Sequence, residues 1–361
     1  MRTETARRVR VLIVDDSALV RRVLTDLLAA EPQFEVVGTA CDAFDARDKI
    51  KALNPDVLTL DVEMPRMDGI AFLRNLMRLR PMPVVMISSL TERGAGVTLD
   101  ALRIGAVDFL TKPKIDIAAG LLEYREELVA KLGAAARARV RGETPTGAGL
   151  HAVIDKRPPT LAQSSARVIA IGASTGGTEA IRAVLEGFDA DTPGILIAQH
   201  IPKAFSASFA ARLDRECRMS VAEAVDGQPV LTGHVYVAPG DRHLLLERQG
   251  PRFVCRIDDS DPVGRYKPAI DLLFSSVARA AGRHGIGVIL TGMGKDGAAG
   301  LAEMRECGAQ TIAQDQATSL VWGMPGEAVG RGAAGEVLAL DDIPQAVLRC
   351  CAGQHGACVS S

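Results

Sequence analysis

The chain has 361 residues, a formal net charge of −2, 47% hydrophobic and 24% charged residues. This length predicts about two to three domains, each long enough to bury its own core, and the composition is that of a soluble globular protein. The near-balanced charge leaves no basic footprint, and neither a recognition-helix pattern nor a basic–aromatic stripe is found, so nucleic acid is not an expected partner.

In chain order, residues 9–130 alternate short β-rich runs with amphipathic stretches. The strand candidates are VRVLIVDD (9–16), FEVVGTA (34–40), VLTLDV (57–62), PVVMISS (83–89) and AVDFLTK (106–112), and helix-like segments such as Ser17–Ala30 and Gly69–Leu79 follow them. Nearly all-apolar strands in five βα units predict a doubly wound parallel sheet covered on both faces. Ligands of such sheets bind at the carboxyl ends of the strands.

Three carboxylates fall at those ends: Asp15 and Asp16 after the first strand, and Asp61 at the end of the third. Clustered carboxylates repel one another and favour a hard divalent cation such as Mg²⁺. Ser88 ends the fourth strand and Lys112 the fifth. A cation, a lysine and a hydroxyl around one aspartate can stabilise phosphoryl transfer to it. Taken singly, Asp15 or Asp16 could cap the helix at Ser17, Asp61 could open the turn before Met64-Pro65, and Lys112 could be an exposed strand end. Together these residues, as DD, LDVEMPRMDG, SS and TKP, resemble the receiver domain of two-component response regulators. The resemblance implies a flavodoxin-like fold in which Asp61 accepts phosphate from a histidine kinase. It also implies that Asp15, Asp16 and Asp61 hold Mg²⁺, Ser88 is the switch hydroxyl and Lys112 contacts the phosphate.

Residues 131–166 are rich in Ala, Gly, Pro, Ser and Thr and carry six basic residues against two acidic. They read as an interdomain linker whose first part extends the preceding helix. The second half resumes with RVIAIGA (167–173), GILIAQH (194–200), GVILTG (287–292), QTIAQD (310–315) and EVLAL (336–340). Between Gln228 and Asp258 the spacing shortens to VYVAPG, HLLLERQ and RFVCRID, and Gly250-Pro251 predicts an antiparallel hairpin inserted in or flanking a second parallel sheet. The second domain is expected over 167–352, with a tail over 353–361. No apolar run reaches the ~18–20 residues that span a bilayer, and the charged N-terminus lacks the apolar core of a secretory signal. Cys41, Cys217, Cys255, Cys307, Cys350, Cys351 and Cys358 are odd in number and contain no CxxC pair. They predict reduced thiols in a cytoplasmic protein.

Ser174, in RVIAIGASTGGTEAI, permits three readings: a nucleophile, part of a phosphate cradle, or a polar turn residue. GASTG fits the G-x-S-x-G elbow. The P-loop reading fails at Thr178, where that motif needs a lysine. A nucleophilic serine needs a base. Among the six histidines, His151 lies in the linker, His355 in the tail, His284 after a helix, and His234 and His243 in the β-rich insert. His200 ends the second strand of this half, where a parallel sheet presents functional residues; it could equally be a hydrogen-bonded strand-end residue. Asp296, in the glycine-rich turn of ILTGMGKDGAAGL, could orient the imidazole or simply cap the helix after it. All three follow strands of one predicted sheet, as a Ser-His-Asp triad requires. Backbone amides near Thr175 and Met293 are candidate oxyanion donors.

The motifs IGASTGG, QHIP, APGDRHL, TGMGKDGA and WGMPGEA, in this order behind a receiver-like half, resemble the chemotaxis protein-glutamate methylesterase (CheB) family. Ile201 stands where many relatives carry Met. The resemblance implies an α/β methylesterase domain with Ser174 as nucleophile, His200 as base, Asp296 as orienting acid and Met293 as the residue contributing an oxyanion amide. The Trp322–Pro325 loop either lines the substrate groove or anchors the last strand. The implied activity is hydrolysis of glutamate γ-methyl esters, and of glutamine side chains, on chemoreceptor cytoplasmic domains. It would be activated by a CheA-type kinase through Asp61 and need no cofactor in the esterase half. A non-catalytic response regulator and a receiver fused to a nucleotide-binding module are the competing functions. The intact Ser174, His200 and Asp296 argue against the first, and Thr178 against the second.

Overall fold

The structure is a computed structural model that describes residues 7–88, 92–112, 118–138 and 167–353. The chain divides into two compact units, each treated by itself below. In the first, β1 (Val9–Val14), α1 (Ala18–Ala29), β2 (Phe34–Ala40), α2 (Ala43–Leu53), β3 (Val57–Asp61), α3 (Gly69–Leu79), β4 (Val84–Ser88), α4 (Glu92–Ile104), β5 (Asp108–Thr111) and α5 (Ala118–Arg137) alternate strictly. The strands form one five-stranded sheet in the order β2-β1-β3-β4-β5, every pairing parallel. That is the flavodoxin-like order, whose switch point lies between β1 and β3. Val11–Val14 of β1 and Val57–Asp61 of β3 are buried, and each large aliphatic side chain so buried contributes about 1.5–3 kcal/mol. Ser17 accepts a hydrogen bond from Val20 N and caps α1, so neither Asp15 nor Asp16 is spent on that role.

The predicted linker over 131–166 begins inside a helix, because α5 continues to Arg137. The rest of it from residue 139, with His151, lies outside the described residues, as does the tail from 354 with His355 and Cys358.

The second unit contains β6 (Val168–Ala173), α6 (Gly177–Glu186), β7 (Ile195–Gln199), α7 (Lys203–Glu216), β8 (Ser220–Glu223), β9 (His234–Val237), β10 (His243–Gln249), β11 (Arg252–Asp258), α8 (Ile270–Ala281), β12 (Gly285–Ile289), α9 (Ala298–Glu306), β13 (Gln310–Gln314), α10 (Met324–Gly330), β14 (Glu336–Leu338) and α11 (Ile343–Cys351). Its main sheet has seven parallel strands in the order β14-β13-β12-β6-β7-β9-β8. The chain leaves β6 toward β7 on one side and leaves β12 toward β13 on the other. The switch point therefore falls between β6 and β12, where the strand-end loops open a crevice.

The antiparallel hairpin expected at Gly250-Pro251 is β10 and β11. VYV, with His234, read as part of the same β-rich insert, belongs instead to β9 inside the parallel sheet. The hairpin does not extend the sheet. It packs on α8, where Ser276 Oγ accepts from Leu246 N at 2.8 Å. Leu244, Leu246 and Phe253 join Leu273, Phe274 and Val277 of α8 in one buried core. α8 approaches β6 closely because position 172 is glycine; a Cβ there would meet Ile270 Cγ2 at 2.2 Å.

Candidate active site and acidic cluster

Ser174 follows β6, His200 follows β7, and Asp296 lies in the turn after β12, so three strand-end loops of one sheet edge converge. Ser174 Oγ lies 3.1 Å from His200 Nδ1, and His200 Nε2 lies 2.8 Å from Asp296 Oδ2. With Asp296 ionised, His200 carries its proton on Nε2 and donates it as a hydrogen bond to the carboxylate. Nδ1 is then left as the acceptor for the serine hydroxyl. Asp296 is 5% exposed and also accepts from Ile270 N (2.8 Å) and Asp271 N (3.0 Å). It therefore caps α8, a different helix from the one it precedes. Burial pushes the Asp296 carboxyl up, but the His200 and amide hydrogen bonds outweigh this and hold it below the ordinary carboxylate range.

The two predicted oxyanion amides share one device. Ser174 O accepts from Gly177 N at 2.7 Å and Gln199 Nε2 at 2.9 Å, which fixes the Ser174–Thr175 peptide. Gly292 O accepts from Gly323 N at 3.1 Å and Met324 N at 2.8 Å, which fixes the Gly292–Met293 peptide. In a trans peptide the N–H points opposite to the pinned carbonyl, so each amide has a set direction. Gly292 also lies against Ser174: a Cβ there would sit 2.8 Å from Ser174 Cβ and 2.3 Å from Met324 Sδ. Thr291 closes the frame, its carbonyl accepting from Ser174 N at 3.0 Å and its Oγ1 donating to Thr175 O at 3.0 Å.

Gln199 and Thr291 were not foreseen from the sequence, and the Trp322–Pro325 loop was singled out as a groove lining or strand anchor, not for its backbone bonds to Gly292. Trp322 Nε1 donates to Gln314 O at the end of β13, which gives the loop an anchoring function. Tyr266 was also missed. Its ring stacks on His200 with centroids 4.0 Å apart and planes 3° from parallel. His284 is half-buried in a 3₁₀ turn, His234 Nδ1 bonds Thr232 O, and His243 is fully buried among backbone groups.

In the first unit, Asp15, Asp16 and Asp61 offer ligand oxygens that all lie within 4.8 Å of one another. Lys112 Nζ bonds Asp61 Oδ2 at 2.8 Å and stands 3.9 Å from Asp15 Oδ2. Asp61 Oδ1 accepts from Glu63 N at 3.2 Å, and Asp15 Oδ1 from Ser17 N at 2.8 Å. Asp15 Oδ2 is buried without a hydrogen-bond partner. Burial first, then the charge of Asp61, push Asp15 up to about 6. Burial also pushes Asp61 up, with Lys112 opposing it. On Lys112, burial acts downward, but its bond to Asp61 and the neighbouring carboxylates raise it overall. Three carboxylates, one of them exposed, and an orphaned buried oxygen fit a hard divalent cation. Ser88 Oγ accepts from Thr98 Oγ1 at 2.8 Å and so is held at the end of β4. The six described cysteines form no disulfide, and no helix among the described residues is long and apolar enough to cross a membrane.

These features define a class: a receiver-type α/β unit followed by an α/β unit with a hydroxyl–imidazole–carboxylate chain at its switch point. Comparison with known proteins narrows it. The response regulator receiver domain model matches residues 11–119, and the CheB methylesterase model matches residues 169–347. The protein-glutamate methylesterase/protein-glutamine glutaminase 1 of Xanthomonas euvesicatoria pv. vesicatoria is 57% identical over 346 residues, covering 94% of this chain and 96% of the relative. The Hahella chejuensis protein of the same name is 55% identical over 345 residues, with coverage of 94% and 96%. The crystal structure of the Thermotoga maritima CheB methylesterase catalytic domain superposes with a TM-score of 0.50 at 37% identity, covering 51% of this chain and 98% of that one. The chain belongs to the CheB methylesterase family, in the form that carries an N-terminal receiver domain.

Proposed function

We propose that Ser174 is the nucleophile, His200 the general base and Asp296 the orienting acid of a hydrolase acting on glutamate γ-methyl esters and glutamine side chains of chemoreceptor cytoplasmic domains. The observation that carries this reading is the unbroken chain Ser174 Oγ–His200–Asp296 in the switch-point crevice. As Ser174 Oγ bonds to the ester carbonyl carbon, its proton passes to His200 Nδ1. The oxyanion that forms is met by the Thr175 and Met293 amides, whose pinned carbonyls hold them ready before the reaction begins. Collapse of the tetrahedral centre breaks the bond to the methoxy group, which takes the proton from His200 and leaves as methanol. Water, deprotonated by the same imidazole, then releases the carboxylate. With glutamine, ammonia leaves by the same steps.

Asp61 is the proposed phospho-acceptor, with a CheA-type histidine kinase as donor. Asp15, Asp16 and Asp61 would hold Mg²⁺, which supplies charge neutralisation for phosphoryl transfer when bound. Lys112 bonds the acceptor carboxylate directly and would follow the phosphoryl oxygens. Ser88 would contact them from the end of β4. Phosphorylation would activate the esterase, and the enzyme would work in the cytoplasm.

The test is methanol release from a methylated receptor cytoplasmic fragment by the full chain, with and without a small-molecule phosphodonor. Wild type is expected to exceed Ser174→Ala by at least ~10³-fold; equal rates would refute the serine mechanism. Asp61→Ala is expected to abolish stimulation by the phosphodonor, and undiminished stimulation would overturn the regulatory half.

A further inference from the structure

Tyr266 lies between β11 and α8, in the string GRYKP, and no motif led to it. Its ring nevertheless lies flat on the His200 imidazole, at 4.0 Å and 3°. The surrounding loop is exposed from Asp261 to Arg265, and a loop of that kind ordinarily moves. This one is fastened at several points. Val263 and Tyr266 bond each other's backbone in both directions, at 3.2 and 3.0 Å. Lys267 Nζ bonds Asp259 O and Oδ1 at 3.0 and 2.8 Å. His243, 0% exposed, accepts from Ala269 N at 3.0 Å and donates through Nε2 to Asp261 O at 3.2 Å, so one buried imidazole ties both ends of the loop to β10. Tyr266 also spans to the glycine turn after β12, where a Cβ on Gly294 would stand 3.0 Å from its hydroxyl.

Both edge nitrogens of His200 are already committed, one to Ser174 and one to Asp296. Only the faces of the ring remain available for further control, and Tyr266 takes one of them. We propose that Tyr266 is a positioning residue for His200 and that its π-face stabilises the imidazolium formed when Ser174 gives up its proton. This rests on the serine mechanism above. The neutral imidazole gains ordinary stacking, whereas the protonated ring gains cation–π attraction as well. The Arg265 guanidinium is the more distant cation, 5.9 Å from the Tyr266 centroid. An interaction that strengthens only as charge develops lowers the barrier without tightening substrate binding. The effect should therefore appear in kcat and not in KM.

The experiment measures methanol release by the full chain from the methylated receptor fragment for wild type, Tyr266→Phe, Tyr266→Leu, Tyr266→Met and Ser174→Ala. Tyr266→Phe keeps the ring and is expected to stay within about 2-fold of wild type. Leu and Met keep apolar bulk without a π-face and are expected to lower kcat by about 3- to 30-fold with KM within about 2-fold. Whichever of the two folds with a wild-type urea midpoint suffices. The inference is overturned if those variants keep wild-type kcat, if the loss falls on KM, or if Phe is as impaired as Leu. If Ser174→Ala itself hydrolyses at the wild-type rate, the serine mechanism fails and takes this inference with it; a dead Ser174→Ala beside a fully active Tyr266→Leu removes this inference alone.

Discussion

Replacing Asp296 by asparagine sets one carbonyl oxygen and one amide group against donors that the native carboxylate satisfies with two oxygens. Oδ2 accepts from His200 Nε2 and Ile270 N, each at 2.8 Å, and Oδ1 accepts from Asp271 N at 3.0 Å. If the asparagine oxygen takes the Oδ2 position, its NH₂ faces the Asp271 amide, and a buried donor pair is left unsatisfied at a cost of about 1–3 kcal/mol. If it flips, the NH₂ points at His200 Nε2, which must then accept. The imidazole proton moves to Nδ1, facing Ser174 Oγ, and no base remains. The flipped form also leaves the Ile270 amide unpaired. Either arrangement removes the negative charge that balances the imidazolium. In a triad the wrong tautomer costs about 10⁴ in kcat, equivalent to about 5 kcal/mol of barrier. The expectation is therefore a fall in kcat of ~10³–10⁴ with a modest loss in unfolding free energy. Steady-state methanol release and the rate of Ser174 labelling by a fluorophosphonate should fall together, while a urea titration reports stability. A folded Asp296→Asn variant that retained more than about a tenth of wild-type kcat would refute the orientation argument and return Asp296 to a helix cap.

Further outcomes follow from the same geometry. Gln199→Met keeps the shape but removes the bonds to the Ser174 and His200 carbonyls; kcat should drop by roughly 10-fold with KM little changed, and an unaltered kcat would show that Gly177 N alone orients the peptide. Gly292→Ala drives a Cβ to 2.8 Å from Ser174 Cβ and 2.3 Å from Met324 Sδ, so Ser174 labelling should be lost in a protein whose circular dichroism still indicates a folded chain; normal labelling contradicts the close approach. For Asp15, raised from 3.8 to about 6 in the folded protein, the associated stability is full below the unfolded value and disappears as pH rises through about 6. Over the whole range the loss is at most about 3 kcal/mol, and roughly half of it falls between pH 5 and 7.5. Without divalent cations the receiver unit should thus be weaker by hydrogen exchange at pH 7.5 than at pH 5. Asp15→Asn should flatten that dependence and abolish protection by Mg²⁺, and equal Mg²⁺ protection of variant and wild type would remove Asp15 from the cation site.

The first unit was legible almost element by element, because each strand is a short apolar run; the caps of its helices, Ser17 before α1, Asp42 before α2 and Asp68 before α3, emerge from the structure. In the second unit β8 went unread and β9 was grouped with the hairpin insert. β8 is four residues at the sheet edge with two half-buried positions and one exposed, so its pattern is faint. β9 returns parallel to it after the short stretch 224–233 with no helix between. Parallel neighbours normally need a longer crossover, which is why closely spaced β-runs read as antiparallel.

The site divides along a similar line. Ser174, His200 and Asp296 could be found because strand ends in a parallel sheet are fixed positions, and their chain order follows from the sheet. β6 sits at the switch point, β7 beside it on one side and β12 on the other, so the serine comes first and the aspartate last, without any relation to the order found in α/β-hydrolases. The groups that orient these residues leave no such trace. Gln199 acts on the carbonyl of a residue 25 positions away, and Gly323 and Met324 act on Gly292. Tyr266 meets His200 through a loop pinned by His243 on a different strand. Such contacts depend on which loops the topology brings together, and they have no period or spacing that a single sequence could reveal. A loop residue such as Tyr266 becomes visible only once the faces and edges of its partner have been assigned.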